Sequence, residues 1–129
     1  MTFDECYEKI ILPTFERIKK RYESENSLGC EGLIQTQGDS RSLSVQNPEE
    51  KEGWWWVIAF VPDEGIEGTT TAFHAASSDG EIFQEMKPYQ KVRIDGLSPR
   101  SIEIEAEKLM LRIKLILAEH KRKWPGSYE

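Results

Sequence analysis

The chain has 129 residues, a formal net charge of −6 and two cysteines. That length fits one α+β domain spanning 1–129, and a chain of this size buries roughly two thirds of its unfolded surface, so a core can form without metal or disulfide staples. Aromatic residues at 10%, gathered in periodic segments, exclude a disordered composition, and 23 acidic against 17 basic side chains disfavour nucleic acid by long-range repulsion.

The N-terminus, Met1-Thr2-Phe3-Asp4-Glu5, has neither the basic nor the apolar region of a secretory signal. Two cysteines without such a signal point to free thiols and a cytoplasmic location. From Phe3 to Glu23 the apolar residues Phe3, Tyr7, Ile10, Ile11, Phe15, Ile18 and Tyr22 fall mostly on one helical stripe. Thr2 and Glu5 have capping-box spacing, while Pro13 lacks an N–H and predicts a kink or break.

Strands follow. Leu33 to Gln37 and Arg41 to Gln46 flank the turn signal Gly38-Asp39-Ser40. Leu43 and Val45 alternate with Ser42, Ser44 and Gln46, which predicts one buried face. After a charged loop, Trp54 to Val61 is apolar on both faces and marks a central strand. Its eight residues are too few to span a bilayer, so no membrane association is expected. Thr69 to Ala76, Ile82 to Met86 and Lys91 to Ile94 supply three further strands, the last of them an edge.

The chain closes on its clearest helix. Ser98 is placed to cap it and Pro99 to occupy its first position. Ile102, Ala106, Leu109, Met110, Ile113, Ile116, Leu117 and His120 form its apolar stripe. Glu103, Glu105 and Glu107 near the start and Lys114, Lys121, Arg122 and Lys123 near the end complement the helix dipole. No helix separates the strands, so βαβ crossovers are absent. The expected fold is a single antiparallel sheet of five to six strands with an N-terminal and a C-terminal helix packed on one face.

If helices cover one face, the other needs an account. Along the central strand Trp54, Trp56, Ile58 and Phe60 share one side, and Trp55, Val57, Ala59 and Val61 the other. On the next strand bulk assigns Thr71, Phe73 and Ala75 to the core. Thr70, Ala72, His74 and Ala76 then join Trp55 on the open side, with Ser42, Ser44, Lys91 and Arg93 from flanking strands. Such a face is more apolar than solvent requires, which points to contact with a partner. The candidate binding residues are Trp55, Val57, Thr70, His74 and Arg93.

Motifs for chemistry are weak. Cys6, Cys30, His74 and His120 lack metal-ligand spacing, so no metal or other cofactor is expected. The sequence contains no nucleophile elbow and no phosphate-binding glycine motif. In element order and composition alone the chain resembles type III secretion chaperones, bacterial immunity proteins and phage-encoded inhibitors, although those chaperones usually carry a helix among the strands.

The leading reading is a non-catalytic protein-binding module, a chaperone, adaptor or inhibitor, that engages a protein partner or a second copy of itself. The alternative is a small-ligand binder or enzyme with a pocket between sheet and helices, lined by His74, Arg93, Trp55 and Glu85. A third is nucleic-acid contact through Lys121 to Trp124.

Overall fold

The computed structural model describes residues 2–25, 29–47, 53–63, 68–78, 84–86 and 90–123. The chain begins as a helical rod in three parts: α1 (Phe3–Cys6), a π-helical turn (Tyr7–Ile11) and α2 (Leu12–Glu23). Thr2 caps the start by accepting a hydrogen bond from the Glu5 N–H at 3.2 Å. The π turn absorbs Pro13: Leu12 donates its N–H to Tyr7 O, five residues back, just before the position that has no N–H to give. Pro13 therefore widens one turn and does not break the helix. Thr14, fully buried, returns its hydroxyl to Ile10 O at 2.6 Å.

Six strands follow: β1 (Glu31–Gln37), β2 (Ser40–Asn47), β3 (Trp54–Pro62), β4 (Thr69–Ser78), β5 (Gln84–Met86) and β6 (Gln90–Arg93). They form one antiparallel sheet in the order β1-β2-β3-β4, with β5 and β6 sharing the far edge of β4. Gly38, at φ 57°, supplies the left-handed residue of the tight β1–β2 turn. A 3₁₀ turn (Ile94–Gly96) leads into α3 (Pro99–Lys123). Ser98 caps α3 by accepting from the Ser101 N–H at 3.1 Å, and Ser101 Oγ accepts from the Ser98 N–H in return.

Both long helices pack on the same face of the sheet, as expected. Trp54, Trp56, Ile58 and Phe60 of β3 are buried there with Leu43 and Val45 of β2. Phe15 of α2 stacks against Phe60 at 6.1 Å, and Tyr22 meets Trp56 edge-on at 6.0 Å. From α3 the stripe Ile102, Ala106, Leu109, Met110 and Ile113 closes the core. Across the helix seam Glu103 meets Arg17 at 3.4 Å and Glu107 meets Arg21 at 3.2 Å. The acidic start of α3 thus has partners on α2 in addition to its own dipole. These pairs are solvent-exposed, so they orient the helices more than they stabilise them.

The β1 edge is pinned rather than left open. Glu23 at the end of α2 accepts the Gly32 N–H at 3.1 Å. Lys19 lies so close that a Cβ at position 32 would sit 2.6 Å from its Cγ, so glycine is needed for contact, not for its φ. No helix among the described residues is long and apolar enough to cross a membrane.

Candidate functional site

Register decides which side chains share a face. Ile58 pairs with His74, Phe60 with Ala72 and Trp56 with Ala76. Side chains at paired positions point to the same side of an antiparallel sheet, so Thr70, Ala72, His74 and Ala76 face the helices. This corrects the assignment made from bulk. The inward positions of β4 take small residues because Trp56 and Phe60 beside them already fill the layer. Phe73 is instead paired with Ala59 on the other side.

The five candidate binding residues therefore separate. Trp55 and Val57 lie on the open face, partly buried. Arg93 pairs with Thr69 on that same side, exposed, with its guanidinium 3.3 Å from Asp95. Thr70 is on the helix side, fully buried, and donates its hydroxyl to Val61 O at 2.8 Å. His74 is on the helix side too and only 7% exposed. The side chains of Glu85, His120 and Lys121 to Trp124 lie outside the described residues.

The open face has a defined composition. Trp55, Val57, Ala59 and Val61 run along β3, with Thr71, Phe73 and Ala75 beside them on β4. Ser42 and Ser44 border the strip on β2. At one end Thr69 and Thr71 both donate hydroxyl hydrogen bonds to the Asp63 carboxylate. The Thr71 bond does most to hold the Asp63 carboxyl below the usual carboxylate range; slight desolvation opposes it, and Thr69 and the nearby Lys91 add to the lowering.

The helix side carries a second feature. A cleft of about 170 Å³ opens between β3, β4, β6 and the first turns of α3. Ile58, Phe60, Ala72, Leu97 and Ile102 give it apolar walls, and His74, Gln90, Ser101 and Glu105 add polar groups. His74 Nδ1 stands 3.7 Å from Glu105 Oε2, and Lys108 Nζ stands 3.7 Å from Glu105 Oε1. Both distances are too long for hydrogen bonds; the Lys108 approach is a contact between charges, and the His74 approach is one only when the imidazole is protonated. Of the residues the sequence suggested for a pocket, His74 lines this cleft, whereas Trp55 and Arg93 are on the opposite side of the sheet. Glu105, Gln90 and Ser101 were not singled out as pocket residues. Glu105 carried a readable signal, since it sits three residues after Ile102 and one before Ala106, at the edge of the apolar stripe.

The thiols sit in apolar surroundings. Cys6 and Cys30 are both free and buried. Burial pushes the Cys6 thiol up, and it pushes Cys30, helped by the nearby Glu25 charge, to about 11. Cys6 Sγ approaches Ile94 O at 3.9 Å, which ties the first helix to the 3₁₀ turn. Among the described residues no three of His, Cys, Asp and Glu are grouped to hold a metal ion. Comparison with protein-family models, curated proteins and solved structures gave no match.

Proposed function

We propose that the chain is a non-catalytic protein-binding module that receives an apolar segment of a protein partner on the open face of its sheet. One observation supports this reading. Trp55, Val57, Val61 and Phe73 lie side by side around Ala59 and Ala75, on the side of the sheet opposite all the described helices. Soluble chains seldom leave a contiguous strip of this kind without a contact to make. Two large aromatic side chains, Trp55 at one end and Phe73 beside Ala59, are the kind of anchor that dominates protein interfaces. Serines on one flank and Lys91 and Arg93 on the other give the strip a polar rim, the usual anatomy of a non-obligate interface. A chaperone, an adaptor and an inhibitor would all use such a surface, and none of them needs a reactive group on it.

The test places a photo-reactive benzophenone side chain at position 57, on the open face, and at position 20, on the outer side of α2, in the chain expressed in its own cell. A defined adduct should form from position 57 and not from position 20. It should vanish when Trp55→Ala is added to a chain that still unfolds cooperatively. A second copy of the 14.9 kDa chain would appear as an adduct of doubled mass. No adduct at position 57, or one indifferent to Trp55, overturns the reading.

A further inference from the structure

The cleft on the helix side is separate from the face just discussed, and its chemistry selects a ligand of its own. We infer that it binds a small organic molecule with a ring-sized apolar body and one hydrogen-bond-donating head, a hydroxyl or a protonated amine, and that it rejects anions.

Size comes first. The cleft measures about 170 Å³. Apolar cavities of about 150 Å³ in other proteins hold one benzene ring. The space exists because β4 offers only Ala72 where α3 passes over it, between Phe60 and Ile102. A larger residue at position 72 would have closed it.

Polarity comes second. His74 occupies an inward strand position among Ile58, Ala72 and Ala76, and Glu105 reaches the same space from α3. An apolar pair at these two positions would complete the core at no desolvation cost. Departures of this kind from the apolar pattern concentrate where a protein does something besides fold. The mixture of apolar walls with a few convergent polar groups is what small-molecule sites share.

Charge comes third. No lysine or arginine lines the cleft among the described residues, while Glu105 brings a carboxylate to it. His74, its one cationisable neighbour in the lining, faces one oxygen of that carboxylate, and Lys108, outside the lining and exposed to solvent, faces the other. A ligand carboxylate or phosphate would meet like charge in a site of reduced dielectric. A hydroxyl or ammonium head meets acceptors instead: the Glu105 carboxylate and the Gln90 side-chain carbonyl.

The test uses the whole chain and three probes of one shape: benzyl alcohol, benzylamine and benzoate. Methyl NMR follows Ile58, Ala72, Leu97 and Ile102 in the cleft and Val57 and Val61 on the opposite face. Benzyl alcohol and benzylamine should shift the cleft methyls saturably at low millimolar concentration and leave Val57 and Val61 unmoved. Benzoate should bind about tenfold more weakly. Glu105→Gln should weaken benzylamine by about tenfold and bring benzoate close to benzyl alcohol. Ala72→Leu, which fills the space, should abolish all binding; if that variant fails to fold, the methyl map of the unaltered chain decides alone. Absence of saturable cleft shifts, shifts centred on Val57, equal binding of benzoate, or benzylamine affinity indifferent to Glu105→Gln each overturns the inference. None of these outcomes bears on the open face, whose test reads Trp55.

Discussion

Trp55 and Trp56 are neighbours of the same type, and the sheet sends them to opposite faces, so an alanine at each is a controlled comparison. Trp56 is fully buried and held edge-on by Tyr22 at 6.0 Å. Removing it withdraws about 200 Å² of apolar area, about 5 kcal/mol at 25 cal/mol per Å², and loses about 1 kcal/mol of ring contact. Against this, the Trp56 indole N–H is buried with no hydrogen-bond partner among the described residues. Its deletion returns about 1–3 kcal/mol. The net cost of Trp56→Ala is then about 4 kcal/mol, within the range of core aromatic truncations. Trp55 is only partly buried, and solvent fills the space it leaves, so Trp55→Ala costs about 2 kcal/mol with no cavity contribution. Urea unfolding followed by far-UV circular dichroism measures both. With a slope of about 2 kcal/mol per molar, the midpoints should differ by about 1 M. Equal costs, or a Trp55→Ala chain that does not fold, would refute the assignment of Trp55 to an open face.

Two further predictions concern the edge and the acid limb. Gly32→Ala should destabilise the chain by about 1–2 kcal/mol, because the new methyl runs into the Lys19 stem, and Lys19→Ala should restore most of that loss in a double-mutant cycle; full additivity would show that the contact is not the cause. Asp63 is held below the ordinary range by the Thr71 and Thr69 hydroxyls, and Glu23 by the Gly32 N–H and then Lys19. A lowered carboxyl contributes stability that is present above its unfolded pKa, about 4, and is lost as pH falls through the folded value. Thermal midpoints should therefore drop below about pH 4, and Asp63→Asn should flatten that limb; an unchanged acid limb would refute the assignment.

Much of the architecture was legible because the signals were strong and local. The cap at Thr2, the cap at Ser98, the Gly38 turn and the alternation of Leu43 and Val45 each rest on chemistry within a few residues, and each is present. Pro13 was legible as a perturbation but not in its form, since a widened turn and a broken one have the same sequence. The face of β4 was misread because its pattern is ambiguous taken alone. Thr70 to Ala76 holds one large apolar residue, and bulk suggested that Phe73 must be inside. The outcome depends on which residue of β4 lies opposite Ile58, and that register is set across two strands and a turn rather than within one. Of the cleft only His74 was legible, for a related reason: β3, β4, β6 and α3 each supply only two or three of its walls.

The corrected register changes what a single strand does in this protein. Phe73 and His74 are consecutive, yet one borders the open strip and the other the cleft beside Glu105. The two surfaces are separated by the thickness of the sheet, and the side chains paired across β3 and β4 report one side only. A change that acts through Phe73 should therefore leave probes of Ile58 and Ala72 undisturbed, provided the strand stays paired. The same parity explains why β4 can tolerate Ala72 and Ala76 inside: the layer is filled by Phe60 and Trp56 from β3, which frees β4 to carry a polar residue at position 74. The large core side chains come mainly from β2, β3 and the helices. The polar pair, and the space beside it, sits where β4 offers only Ala72 to the lining next to Phe60 of β3.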